Sequence, residues 1–378
     1  MTRHSEKQSE HTGTDSSPNG NSKSSFRPAI SRRNALRIIG AGSALGSVGV
    51  VSGTDSVRIP IAKRGNKVAE WKKVPQSWNE HRLHANKVIE GIRDQYYSTA
   101  GVEGIGLTHN SSTIEGMHKL EILLETDSDV YKGHLATSVD GINIRRVEAP
   151  PVGGSDGCYN NGSYSNVPGG VVITGADGGG TTCCKVKDNS GKYYMLTASH
   201  LWDEAACNKS IGGKDAYQNG TNVGYIHEWN KRHDWVGILR DNSGVSFDNT
   251  ILRPSGREAI RGYITRQGLS SWGSDPTYKM GTRTGETVAY GIYSHAYSGG
   301  WECHDFDGKG VVVYNNQAKG DSGCPVYALL SSGPYMISMA VQLHGGNVSN
   351  TCGAETTKRA GGYSAYAMSN NAGFRFAL

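Results

Sequence analysis

From about residue 158 to the C-terminus the chain is a succession of short apolar runs, each closed by a turn signal. The runs are GGVVIT, KYYMLTA, NVGYIHEW, DWVGILR, GVVVYNN, MISMAVQL and YSAYAM. Strings of this length between Gly, Ser and Asn clusters can pair as strands but cannot build long amphipathic helices. Many short strands joined by Gly-rich turns imply a sandwich or a barrel. The composition agrees, because 52 glycines and only 19% charged residues favour a loop-rich β protein over a helical bundle. A chain of 378 residues suggests two domains, at roughly 150 residues each. No internal repeat is visible.

The first half is organised differently. Residues 1–30 are polar, with almost no apolar content, and are expected to be a disordered leader. Residues 31–53 place Arg32 and Arg33 before a weakly apolar Gly/Ala-rich run from Ile38 to Val51. This segment resembles a twin-arginine export signal, and the run is short of the ~20 apolar residues of a membrane span. It has no clear small-x-small cleavage site. The resemblance implies a secreted, extracellular protein.

Residues 70–150 read as a small α+β unit. Ser77-Trp-Asn-Glu80 has the pattern of a capping box. Trp78, Ala85, Val88, Ile89, Ile92 and Tyr96 then recur at helical spacing, and Gly101 is placed to stop the helix. VEGIGLT (102–108), KLEILLE (119–125) and INIRRVE (142–148) are the expected strands, with a shorter helix before the third. Leu120, Ile122 and Leu124 alternate with Lys and Glu, as on a half-buried sheet. His81 and His84 lie one helical turn apart without a third ligand, so both read as surface residues. A linker, APPVGGSDG (149–157), leads into the β-rich region, taken as a domain from 158 to 378.

The formal charge is +5, yet from Gly154 onward 19 Lys+Arg face 18 Asp+Glu. No basic block marks a nucleic-acid surface. Cofactors and metals are likewise not expected, since no Cys/His cluster has ligand spacing.

The chemistry-bearing stretch is AKGDSGCPVY (318–327). Gly320-Asp-Ser-Gly323 alone is as well explained by a tight turn. A serine hydroxyl becomes a nucleophile only with a base in hydrogen-bond reach and an anion to orient that base. Both are available: His200 follows an apolar strand end in MLTASHLW, and Asp234 opens another strand in RHDWVGILR. The order His200, Asp234, Ser322 is a known triad order.

These motifs resemble those of the chymotrypsin/trypsin-like serine peptidases, in their bacterial-type branch. Thr197-Ala-Ser-His200, Asp234 with Trp-Val-Gly-Ile behind it, and Gly320-Asp-Ser-Gly323 carry the likeness, together with GTTCCKV (180–186). It covers about residues 158–378. It implies a mainly β fold of two six-stranded barrels with a site in the cleft between them. It also implies a serine-type endopeptidase acting on a protein or peptide substrate, as a monomer. Ser322 would attack, His200 would relay the proton, Asp234 would orient His200, and the N–H groups of Gly320 and Ser322 would form the oxyanion hole. By the same likeness the 70–150 unit would be a pro-segment or accessory domain of a zymogen. Two other readings are a triad-bearing fold used as a binding or adhesion module, and an esterase-like hydrolase.

Further expectations rest on the resemblance. A basic side chain within the domain would neutralise Asp321; Lys279 in YKMGTRTGE (278–286) has that place, with Arg283 as rival. The pocket floor would be Asn316, which argues against a trypsin-like preference for Lys or Arg. One wall would come from His344, Gly345 and Gly346. Cys184 and Cys207 flank His200 as a candidate disulfide, with Cys183 an equal partner. Cys324 and Cys352 bracket the pocket segment as another. The family's GDSGG is GDSGC here, and Cys158 and Cys303 have no assignment.

Overall fold

A computed structural model describes residues 55–127, 136–148, 159–202, 209–241, 243–299, 304–341 and 359–378. The expected leader, export segment and linker lie outside these residues, as do His344, Gly345, Gly346, Cys158, Cys207, Cys303 and Cys352.

The described chain is mainly β, as its short apolar runs require. One seven-stranded sheet gathers the strands between residues 172 and 239; its central members are Tyr193–Thr197, Trp235–Leu239 and Thr221–Asn230. Tyr194, Leu196, Val236 and Ile238 are fully buried in it. Fully burying an aliphatic side chain of this size contributes roughly 1.5–3 kcal/mol. A second seven-stranded sheet runs from strand Gly285–Tyr290 through Pro276–Gly281, Pro325–Leu330, Gly333–Met339 and Gly262–Ile264. A third holds Ala360–Tyr363, Gly310–Val313 and Ile292–Gly299 at one side.

The N-terminal segment supplies the remaining strands of the second and third sheets. Hairpin strands Ser56–Arg64 and Lys67–Pro75 extend the second sheet, with Ala62 opposite Ile264. Strands Val102–Ile114, Met117–Thr126 and Ile142–Glu148 extend the third, with Leu107 opposite His295. The region read as a separate α+β unit therefore shares the second and third sheets with the region behind it. The described residues form one compact unit. None of its described helices is long and apolar enough to cross a membrane.

This continuity explains a departure in KLEILLE. Leu120 to Thr126 is buried on both faces, not on alternate residues. Glu125 is satisfied inside by the hydroxyls of Tyr293, 2.9 Å away, and Tyr297, and by the guanidinium of Arg359. Gly104 makes the approach possible, because a Cβ there would stand 2.1 Å from the Tyr297 hydroxyl. Sequence alternation reports one covered face, and here the second face is covered by residues far along the chain.

Helix Gln76–Tyr97 matches the expected segment. Trp78, Ala85, Val88 and Ile89 are buried on its inner face. The capping box is not used. Pro75 is the N-cap, and Ser77 lies inside the first turn, where its hydroxyl bonds Glu115. Gly101, at φ +80°, turns the chain into the next strand. The ring of His81 accepts the Leu120 N–H at 2.9 Å, and His84 bonds the Asp140 carbonyl at 2.7 Å. Both histidines brace the helix against backbone.

Candidate active site

Register brings the first two candidate residues together. Thr197 is opposite Val236 in the antiparallel pair of strands Tyr193–Thr197 and Trp235–Leu239. The residues just after Thr197 therefore meet those just before Trp235. A short 3-10 turn, Ser199–Leu201, then carries His200 back over Asp234. His200 Nδ1 lies 2.7 Å from Asp234 Oδ2. The other carboxylate oxygen accepts the backbone N–H groups of Ser199 and His200, at 2.9 and 3.0 Å, and the Ser199 hydroxyl at 2.9 Å. Asp234 is 1% exposed. Burial alone would raise its pKa, but His200, His304 and these hydrogen bonds outweigh that and hold the carboxyl well below the usual range. Asp234 also has φ +52°, a conformation in which Asp is among the better tolerated non-glycine residues.

The turn holding Ser322 is packed onto the same place. Thr181 N–H donates to the Ser322 carbonyl at 2.8 Å, while the Thr181 carbonyl accepts the Thr197 hydroxyl at 2.8 Å. Gly323, at φ +92°, has no room for a side chain: a Cβ would lie 2.1 Å from Thr197 Oγ1 and 2.9 Å from the Ala198 nitrogen. The serine turn thus rests directly on the strand end that carries His200. Ser322 itself is 4% exposed. The Gly320 carbonyl is fixed by the hydroxyls of Thr181 and Thr282, at 2.8 and 2.9 Å, and Gly320 adopts φ +104°.

Beneath the turn is a buried ion pair. Lys279 faces Val326 across neighbouring strands, which places its side chain under the residues just before Val326. Its Nζ is 2.7 Å from Asp321 Oδ2, and both side chains are fully buried. Asp321 also accepts N–H groups from Arg283 at 2.8 Å, Thr284 at 3.2 Å and Ala318 at 3.1 Å, and the Thr284 hydroxyl at 2.8 Å. Lys279 and these donors hold the carboxyl below its ordinary pKa against the cost of burial. Arg283, the rival partner, contributes its backbone and not its guanidinium. Gly281 leaves the space, since a Cβ there would be 2.1 Å from Asp321 Oδ1.

Other expectations fare differently. Asn316 is exposed, while its neighbour Asn315 is buried and its amide bonds Thr277 and Thr287. Cys183, Cys184 and Cys324 are free thiols. The disulfides expected from Cys184 and Cys324 are therefore not formed. All three are buried in the same core cluster, where neighbouring thiols raise the Cys183 pKa further and burial pushes Cys324 up to about 12. They behave as small apolar side chains.

Sequence reading missed His304. It is buried, its ring centroid lies 6.3 Å from that of His200, and its Nδ1 bonds the Lys231 carbonyl. A single histidine in a loop gives no periodic or motif signal. Thr181 and Thr284 were also missed, because their roles rest on pairings over long separations.

No family model matches the chain, and no curated protein matches it. Among solved structures the chain is similar to Nocardiopsis protease (NAPase), with 15% identity and a TM-score of 0.41 over 56% of this chain and 98% of that one. It is similar to Thermobifida fusca Protease A, at 14% identity and TM-score 0.41, over 56% and 97%. A third is an alpha-lytic protease homolog, N4, at 17% identity and TM-score 0.39, over 56% and 99%.

Proposed function

We propose that the chain is a serine-type endopeptidase whose triad is His200, Asp234 and Ser322. One observation carries the reading: a fully buried carboxylate, fixed by three donors on one oxygen, holds His200 Nδ1 at 2.7 Å with the other. Such a carboxylate orients one imidazole tautomer and stabilises the imidazolium that forms during reaction.

The steps follow from the residue types. Ser322 Oγ attacks the scissile carbonyl carbon, and its proton passes to His200 Nε2. The oxyanion is met by the backbone N–H groups of Gly320 and Ser322. Losing one such donor typically costs ~3 kcal/mol. His200 then protonates the leaving amine, the C–N bond breaks, and an acyl-enzyme remains. Water repeats the sequence, giving its proton to His200 and its oxygen to the acyl carbon, and Ser322 is released. The Lys279–Asp321 pair keeps the oxyanion turn in shape from inside the domain, so no new N-terminus is needed. Export through the Arg32-Arg33 segment and a monomeric state complete the proposal.

The test is covalent labelling of the full chain with a fluorophosphonate. Labelling of wild type that disappears in Ser322→Ala supports the triad. A folded wild-type protein that never labels points instead to the binding-module reading.

A further inference from the structure

Among the described residues, one group of side chains has the makings of a transition-metal site: His200, Asp234 and His304. One ligand atom from each lies within 4.8 Å of the other two, and all three residues are buried. His304 Nδ1 donates to the Lys231 carbonyl, so the neutral ring carries its lone pair on Nε2. That hydrogen bond also fixes the ring, as outer-shell carbonyls do for metal-bound histidines. The donor set is two imidazoles and one carboxylate. This is the three-ligand pattern of zinc sites that keep a fourth position open.

The geometry points to His200, Asp234 and His304 as a binding site for Zn2+ that, when filled, silences the triad. The metal would take the place of the proton shared by His200 Nδ1 and Asp234 Oδ2, and the ring's one proton would sit on Nε2 instead, so that His200 binds as a neutral imidazole. Zinc bonds of about 2.0–2.2 Å set tetrahedral ligands roughly 3.3 Å apart. The 2.7 Å pair must open slightly, and His304 must close in from within 4.8 Å. With its Nδ1 on zinc and its ring fixed there, His200 can no longer become an imidazolium held by Asp234. The silencing, though not the binding, rests on the proposed peptidase reading.

Binding and silencing are therefore measured separately. Zinc chloride is titrated into the full chain by calorimetry, and cobalt(II) chloride is added with visible absorption as the readout. One equivalent should bind, with a tetrahedral cobalt spectrum, and His304→Gln should weaken binding at least tenfold. Ser322→Ala should bind as wild type does. In parallel, zinc should slow fluorophosphonate labelling of wild type and a chelator should restore it, while the labelling rate of His304→Gln, whatever its zinc-free value, should not fall when zinc is added. Wild type that takes up no stoichiometric zinc overturns the inference whatever the variants do. So does binding unchanged in folded His304→Gln. If wild type binds zinc but never labels, the peptidase reading fails and the metal site stands.

Discussion

Lys279 Nζ and Asp321 Oδ2 are 2.7 Å apart in a place where neither side chain has any exposed surface. Removing one partner leaves the other charge buried and unpaired, which typically costs 3–5 kcal/mol. Lys279→Met should therefore lower the denaturation midpoint and abolish labelling at Ser322. The double change Lys279→Met, Asp321→Asn removes both charges and should recover much of the stability. Equal stability of the single and double variants in urea unfolding would show the pair to be uncoupled.

Asp234→Asn tests the orienting carboxylate. The side chain keeps its size, and position 234 keeps a residue that tolerates φ +52°. The protein should fold, while peptide hydrolysis falls by about 10⁴-fold because the wrong imidazole tautomer is favoured. Hydrolysis within tenfold of wild type contradicts the proposed role.

Acid should destabilise the protein through histidines. Burial is the main cause holding His109 and His295 below the ordinary histidine value of 6.5, and it takes His233 down to about 4. His295 is further opposed by His109, Arg266 and Arg82, and His109 by His118 and Lys72. The unfolded chain then binds more protons than the folded one. Stability is complete above about pH 6.5 and is lost as pH falls from there toward the folded values. His295→Gln, which can still bond the Ser270 hydroxyl, should flatten this loss. The check is Tm from pH 8 to pH 4.5; parallel curves for wild type and variant would remove His295 from the account.

The N-terminal strands should stay attached after the chain is cut. A specific protease site placed between residues 149 and 158 separates the segments covalently but leaves Leu107 opposite His295 and Glu125 among Tyr293, Tyr297 and Arg359. The two pieces should co-elute in size-exclusion chromatography. Adding Glu125→Ala, which strips the buried hydroxyls and guanidinium of their acceptor, should weaken that association. Free separation of the unmutated pieces would show the sheets to be independent.

Much of this arrangement is legible in the residues. The pairing of His200 with Asp234 is legible because the strand ends that carry them are local signals, and the turn that holds Ser322 is a local signal as well. Lys279 is reached only through the family resemblance, which sets a basic residue before the Gly-Thr-Arg-Thr-Gly turn. Sequence is silent where distant segments meet. Nothing in KLEILLE says that Glu125 will be buried under two tyrosines, and nothing near His304 says that it will face Asp234. The cysteines mislead for a related reason. Their number and placement suggest bridges, while burial in one apolar core makes Cys183, Cys184 and Cys324 inert thiols.

The sheet shared by Val102–Ile114 and Ile292–Gly299 also sets a timetable. At ribosomal speeds of about 5–20 residues per second, the first strand waits roughly ten to forty seconds for its partner. Until then its apolar edge has no native neighbour to pair with. Another strand of that sheet, Ala360–Tyr363, emerges later still. Closure of this sheet thus trails its early strands by that interval, and whatever guards them must act during it.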